Sequence, residues 1–477
     1  MLKTKTRTIQ IKKNNNISFP IGTAVTVKKY AKKLNFEHIF SKLKKRGILL
    51  KNLVEALISY RLTENMSLSR ASKWINREEV LDEFNLKFFE QKTLYRTVDV
   101  IGKNYHEIIL NLQDVLFELY DFDCTDVNMD WSSIILWGLK SNLGKYGYSR
   151  DKRPDKKQIT FGITELRKPI NIPIGFTVAK GNLNDQNHFK QTFNQVNHKL
   201  KKDSLIIFDK GANSEDNLNS VIASKMKYLT AKKLNVSDDK LFNSFFQRED
   251  LILINKNTWI VGLKKVYDSR VNYFFFSSKL ESEQIESKLR KAKKQFDEAE
   301  QFQLLIDSKK KLPKKYQITN PLIDMKYSYQ TKLPLLTKEE AFEKVKKTAI
   351  TGREGFFCLT SKDNLTLNEA LNLYREKDSV EKIMHSLKNE INIKPVRVWS
   401  DNGIIGVLLI GYLANLIISL IRYDEPELKK LSTKFIKISL SNLTVTIEML
   451  NHHKKRRVYS NFDPINELIC MENTGIT

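Results

Sequence analysis

The chain has 477 residues, with 81 Lys and Arg against 55 Asp and Glu, a formal net charge of +26. That length allows roughly two to four domains and a sizeable core, and hydrophobics at 41% with aromatics at 10% exclude wholesale disorder. The charge points to a polyanionic partner, nucleic acid before an anionic membrane, and the three scattered cysteines (Cys124, Cys358, Cys470) exclude a disulfide framework or a zinc finger.

The N-terminal stretch is basic and carries no apolar core, so no signal peptide is expected, and the cysteine usage fits a reducing cytoplasm. Residues 7–11 (RTIQI) read as a short strand, and the pattern from about 25 to 120 is helical. Val27, Tyr30, Ala31 and Leu34 share one face, as do Leu53, Ala56 and Leu57. Residues 67–75 and 92–103 resemble the two helices of a helix-turn-helix-like unit. Leu68, Ala71, Trp74 and Ile75 would pack on Leu94, Val98 and Ile101, which leaves Arg70, Lys73, Lys92 and Arg96 for phosphates. The same pattern suits an ordinary helix pair with a solvated basic face. No internal repeat is visible.

From residue 121 the period changes to that of strands. Val127–Leu136, 158–165 and 171–178 read as three strands, 185–200 as a helix, and 202–208 as a fourth strand stopping at Asp209. A helix follows with Ser214 as its cap. In that order the fourth strand can lie beside the first through a right-handed crossover. Residues 251–278 suggest β-hairpins, and a charged helix is expected from Ser282, with Ile285, Leu289, Ala292, Phe296 and Ala299 on one face. Residues 356–363 return to strand character.

Thr366 and Glu369 form a capping-box start, and a single helix is expected from there to Lys388. Tyr374, Lys377, Glu381, His385 and Lys388 fall on one stripe of it, beside the apolar stripe Val380, Ile383, Met384 and Leu387. Such a stripe suits a phosphate-handling site, or equally a solvated face of i, i+4 ion pairs. His385 reads as a surface residue, and His452 and His453 lack partners at metal-ligand spacing. A short strand (395–400), a buried apolar core helix (404–421) and a basic tail with KKRR at 454–457 complete the chain. The apolar run is also long enough for a membrane anchor.

Asp130 on the first strand, Asp209 at the end of the fourth and Glu381 on the later helix can converge. Carboxylates so placed can hold two Mg²⁺ ions for phosphodiester displacement, which needs hard oxygen ligands and neither Cys nor His. Asp126 is the rival for the first position. The loop 145–157, with Arg150, Lys152 and Arg153 among its cations, suits tracking of a DNA backbone or a solvated hairpin tip. Trp259 reads as a hairpin or core residue, with stacking on an unpaired base as the alternative.

Tyr374-x2-Lys377-x3-Glu381-x6-Lys388 resembles the Y-x2-R-x3-E-x6-K signature of DDE insertion-sequence transposases, whose catalytic core is ribonuclease H-like. MDWSS (129–133) resembles their first-Asp strand and IIFDKGANSEDN (206–217) their second-Asp segment; 146–158 and GNLND (181–185) resemble further blocks. The one departure is Lys377 where the signature has Arg, which keeps the charge but loses bidentate phosphate clamping.

The resemblance implies Asp130, Asp209 and Glu381 as catalytic residues and ligands of two Mg²⁺ ions, with Mn²⁺ able to substitute. It implies Tyr374, Lys377 and Lys388 as contacts to the phosphates of the element ends. The implied fold is α/β, a ribonuclease H-like mixed sheet core with a β-rich plus helical insertion and an N-terminal helical domain. The expected boundaries are 1–120 for the helical, DNA-binding domain, 121–230 and 353–425 for the two parts of the core, 231–352 for the insertion and 426–477 for a basic C-terminal region. The implied activity is Mg²⁺-dependent cleavage at element ends and transfer of the 3′-OH into target DNA. The expected partners are double-stranded DNA and a second copy of the chain in a synaptic homodimer, with no membrane, in a cytoplasmic, nucleoid-associated setting. A catalytically silent DNA-binding derivative is the alternative.

Overall fold

A computed structural model describes residues 16–64, 67–138, 140–151, 153–257, 259–307, 319–320, 325–326, 347, 350–450 and 454–474. The expected strand at 7–11, Lys152, His452 and His453 lie outside them, as do the side chains of Ala292, Phe296 and Ala299. The chain divides into two compact units, Met1–Tyr228 with Arg375–Thr477, and Leu229–Tyr374.

The first unit begins with β1 (Asn16–Pro20) and seven helices: α1 (Gly22–Lys33), α2 (Phe36–Ser41), α3 (Leu50–Thr63), α4 (Leu68–Ile75), α5 (Glu78–Glu83), α6 (Lys92–Lys103) and α7 (Tyr105–Leu119). Val27, Tyr30, Ala31 and Leu34 are buried together with nearly every residue of α3. The expected helices of the DNA-binding unit are α4 and α6, whose apolar faces are buried as the periodicity requires. Arg70, Lys73, Lys92 and Arg96 are exposed. The two helices are not joined by a simple turn, because α5 stands between them.

Four strands follow in spatial order β4-β3-β2-β5: β2 (Val127–Ile135), β3 (Gln158–Leu166), β4 (Ile172–Lys180) and β5 (Leu205–Phe208). The first three pair antiparallel, and β5 runs parallel to β2. Between β4 and β5 lies α8 (Asp185–Val196), the crossover that a parallel pair needs. After β5, α9 (Glu215–Ala223) starts where Ser214 Oγ accepts from the Asn217 amide. β2 and β3 are buried along nearly their whole length, although Val127, Met129 and Trp131 alternate with Asn128, Asp130 and Ser132, and Ile159, Phe161 and Ile163 with Thr160, Gly162 and Thr164, so polar side chains are covered as well as apolar ones.

The second unit is a five-stranded arrangement ordered β6-β12-β9-β8-β7, with β6 (Lys227–Lys232), β7 (Ile252–Asn255), β8 (Ile260–Val266), β9 (Val271–Ser277) and β12 (Phe356–Ser361). It also holds α10 (Val236–Asn243), α11 (Ser278–Asp307), the two-residue pair β10 (Thr319–Asn320) and β11 (Met325–Lys326), and α12 (Leu367–Arg375), which ends at the unit boundary. Its core is aromatic: Phe242, Phe245, Phe274, Phe276 and Phe356 pack together. Trp259 stacks on Phe246, with centroids 5.7 Å apart, so it is a hairpin residue of that cluster with one side open.

The chain returns to the first unit through α13 (Asp378–His385), α14 (Asp401–Asp424), α15 (Thr433–Asn442), β13 (Thr444–Leu450), β14 (Lys454–Ser460) and α16 (Pro464–Thr474). The expected single helix 366–388 is broken. α12 ends at Arg375, and the first turn of α13 is closed by the tight bonds Ser379 N to Glu376 O and Val380 N to Lys377 O, both 3.1 Å. The five residues Arg375–Ser379 are all polar, so they offer nothing to a continuous apolar stripe. Beyond α13, residues Ser386–Glu390 form a π turn closed by Ile391 N to Ser386 O at 2.8 Å, which takes Lys388 out of α-helical register. The expected strand at 395–400 is only a bridge between Val396 and Leu136. The expected basic tail is ordered in part: Lys454–Ser460 is a strand, and β1-β13-β14 form a sheet joining sequence from both ends.

The apolar run 404–421 lies within α14, which is long and apolar enough to cross a membrane, yet 94% of its most apolar window is buried inside the protein. Its closest neighbour is α6. A Cβ on Gly102 would lie 1.8 Å from the Asn402 carbonyl oxygen, and one on Gly406 would lie 2.0 Å from that of Val98. The two glycines let the helix backbones touch.

Candidate active site

Strand register brings the first two acids together. Met129 pairs with Phe208 across the parallel β2–β5 ladder, so Asp130 and Asp209 are the next residues along it, on strands about 4.8 Å apart. Asp209 leaves the strand as the residue before a short 3₁₀ turn. Asp130 is buried.

The third acid arrives on α13, whose Val380, Ile383 and Met384 are buried. The helix is fastened by Ser379, which donates to Glu165 of β3 and accepts from Asn128 Nδ2 of β2 at 3.0 Å. One turn after the break, Glu381 presents its carboxylate on the exposed side. Lys377 is the pivot: its Nζ donates to Glu381 Oε1 at 3.0 Å, and its side chain is only 6% exposed. Burial alone would lower the Lys377 pKa, but the facing Asp130, Glu381 and Asp209 outweigh it and the net shift is upward. Asp130 is pushed up by burial and by Glu381, against the opposing pull of Lys377 and Arg150. Lys377 is therefore hydrogen-bonded to one of the three carboxylates and feels the charge of the other two.

A second cation approaches from the loop after β2. The backbone N–H of Arg150 donates to Ser133 Oγ of β2 at 3.3 Å, which pins the loop. Its guanidinium donates to Asp185 Oδ2 at 2.9 Å and lies 3.9 Å from Asp130. Asp185, at the start of α8, is shifted up by burial, relieved by Arg150 and reinforced by Asp209. Gly211 permits this approach, since a Cβ there would stand 2.6 Å from Asp185 Oδ2. Lys388 lies 3.9 Å from Asp151, as does Lys394, and burial lowers the Lys388 pKa despite Asp151.

The other expected residues stand as follows. Arg153 is exposed and paired with Asp155 at 2.7 Å. Tyr374 is half-buried on α12 and belongs to the second unit. Asp126 accepts from the Leu205 amide at 2.7 Å, a strand-fastening role. His385 is exposed. Sequence reasoning passed over Asp185 and Asp151; the only signal for Asp185 was its place at the end of the GNLND segment. Among the described residues no cluster of three or more His, Cys, Asp or Glu is assembled as a metal site.

The family of the transposase DDE domain matches residues 129–414, a span that includes all three acids and Lys377. The chain belongs to that family. Transposases are DNA-cutting and DNA-transferring enzymes, and the DDE family generally uses divalent metal ions. No curated protein matches the chain. Among solved structures, the cryo-EM structure of a piggyBac transposase synaptic complex with hairpin DNA is similar over 91% of this transposase and 81% of that chain, at 12% identity and a TM-score of 0.38. A likeness that loose carries no argument.

Proposed function

We propose that this transposase serves an insertion sequence, and that Asp130, Asp209 and Glu381 are the catalytic carboxylates of a ribonuclease H-like core. The observation that carries the reading is the Lys377 ammonium, hydrogen-bonded to Glu381 and within electrostatic reach of both aspartates. Three carboxylates that jointly attract one buried cation make a cation site by their chemistry. The donor set, all hard oxygens, fits Mg²⁺ or Mn²⁺. Two such ions held by Asp130, Asp209 and Glu381 would stabilise charge on the attacking and leaving oxygens.

The protein's own groups bind and orient the DNA. Lys377, just before α13, and Lys388, in the π turn after it, would hold element-end phosphates, and Tyr374 joins them in the Y-x2-R-x3-E-x6-K reading. Arg150, Lys152 and Arg153 track the backbone. Hydrolysis at the 3′ end of the element breaks one phosphodiester and frees a 3′-OH. That hydroxyl then attacks a target phosphodiester, one bond forming as one breaks, with no covalent enzyme intermediate. The exposed cations of α4 and α6 contact duplex DNA outside the core, residues 1–120 acting as the helical DNA-binding part. Residues 231–352 are the insertion between core segments 121–230 and 353–425, and 426–477 is the basic C-terminal region. Two copies synapse two ends in the nucleoid.

The test is Mg²⁺-dependent cleavage of a duplex bearing the element's own terminal repeat by wild type and Glu381→Gln. Cleavage by wild type alone supports the reading. Equal cleavage by both removes Glu381 from the site, and binding without cleavage by either makes the chain a silent DNA-binding derivative.

A further inference from the structure

A cavity of about 390 Å³ opens between α6 and the segment leading into α14, away from the three acids, and nothing in the proposed reaction uses it. Tyr95 and Trp399 line it as aromatic walls, and Asp99, Arg397 and Ser400 are its polar lining. Trp399 is 64% exposed, although a tryptophan indole is ordinarily well covered. Lys140 Nζ lies 5.8 Å from its ring centroid. Gly138, just beyond β2, is kept small beneath it: a Cβ there would stand 3.3 Å from Trp399 Cδ1. The platform thus packs closely on the segment that follows the strand carrying Asp130.

The polar side of the cavity is fixed. Ser400 caps α14, its Oγ accepting from the Gly403 amide at 3.0 Å and donating to Asp99 Oδ1 at 2.5 Å. A Cβ on Gly403 would come within 3.0 Å of that same oxygen, so glycine admits the carboxylate to the helix end. One oxygen of Asp99 is thereby committed, and among the described residues no hydrogen bond reaches the other, which can accept from a ligand donor. Arg397, exposed at the rim, supplies a cation for a phosphate.

We propose that this cavity receives one unpaired, amino-bearing DNA base. The aromatic walls give a π face for stacking, which is tolerant of base identity. The Asp99 carboxylate accepts from an exocyclic amino group, present on adenine, cytosine and guanine and absent from thymine. Arg397 and Lys140 meet the flanking phosphates. The volume lies at the small end of ordinary ligand pockets and suits one nucleotide taken out of the stack. This inference rests on the transposase reading, since it presumes DNA on this face.

The test measures binding of full-length protein to labelled single-stranded oligo-deoxyadenosine, oligo-thymidine and a random duplex, by fluorescence anisotropy. Trp399→Ala is expected to weaken oligo-deoxyadenosine binding by about five-fold or more, with duplex binding unchanged and Trp399→Phe close to wild type. Asp99→Asn is expected to erase the preference for deoxyadenosine over thymidine. Equal losses on single strand and duplex, or no loss with Trp399→Ala, would overturn the base site. A wild type that binds duplex but no single strand overturns this site alone. A wild type that binds no DNA overturns the transposase reading with it.

Discussion

Lys377 and Glu381 stand one helical turn apart, joined at 3.0 Å, yet one side chain is 6% exposed and the other 57%. The asymmetry is informative. A surface i, i+4 pair would leave both partners in water and contribute a few tenths of a kcal/mol. Here the ammonium is buried, hydrogen-bonded to Glu381 and stabilised by the charges of Asp130 and Asp209.

Replacing Lys377 by Met therefore leaves Asp130 buried with one cation fewer. The expected cost is about 1–3 kcal/mol at neutral pH, measured by urea unfolding. It should shrink in acid, because protonating Asp130 removes the unpaired charge. Lys377→Arg keeps the charge and should keep most of the stability. A Met variant as stable as wild type across pH would show that Lys377 does not neutralise the acids.

Gly406 tests the packing that carries the segment into the site. A Cβ there would stand 2.0 Å from the Val98 carbonyl oxygen, and backbone cannot yield as a side-chain tip can. Gly406→Ala should lower stability by about 1–3 kcal/mol, against the slight gain expected of Gly→Ala in a free helix. A thermal midpoint equal to or above wild type would mean that α6 and α14 separate without cost.

Arg150 bridges Asp185 at 2.9 Å and approaches Asp130 to 3.9 Å, whereas Arg153 pairs with its neighbour Asp155 and lies 6.0 Å from the Trp137 ring centroid. If both also meet phosphates, Arg150→Ala with Arg153→Ala should flatten the slope of log affinity against log salt by about 2. An unchanged slope removes the loop from the DNA path.

Much of this arrangement was legible in the residues because period and register are local signals. The β2 run, the stop at Asp209 and the apolar face of α13 each follow from side chains a few positions apart. The break at Arg375–Ser379 was not legible. Thr366 and Glu369 do form their reciprocal cap, and every residue up to Lys388 tolerates helix, so the polar run Arg375–Ser379 does not by itself forbid continuity and the break also needs the tertiary contacts of Lys377 and Ser379. The π turn at Lys388 has the same character. Arg150 sat in a loop whose charge suggested DNA, while its contact with Asp130 depends on the hydrogen bond to Ser133, which no spacing announces. Alternating valines at 396 and 398 suit a strand and an isolated bridge equally, so the sequence does not distinguish the two.

Glu165 offers the clearest pH signature. It lies on β3, fully buried, with Oε1 accepting from Asn128 Nδ2 at 2.9 Å and from Ser379 Oγ. Burial raises its pKa from 4.5 to about 7, with the two hydrogen bonds and the nearby Arg167 and Lys377 pulling the other way. The folded pKa is above the unfolded one, so the folded state binds the extra proton. The stability linked to this group is fully present below about pH 4.5 and is lost as pH rises through about 7. Glu165→Gln keeps the shape and an acceptor oxygen for Asn128 and Ser379 while removing the charge. The difference in unfolding free energy between variant and wild type should therefore grow in the variant's favour by on the order of 3 kcal/mol across that window and then level off. Taking the difference cancels Asp130, whose raised pKa acts in the same direction. Urea midpoints at half-unit pH steps read it directly, and parallel profiles would show that Glu165 stays ionised in the fold. Because Ser379 fastens the helix that presents Glu381, the variant should also hold that helix as firmly at pH 8 as at pH 5, which amide hydrogen exchange in Val380–Met384 would report.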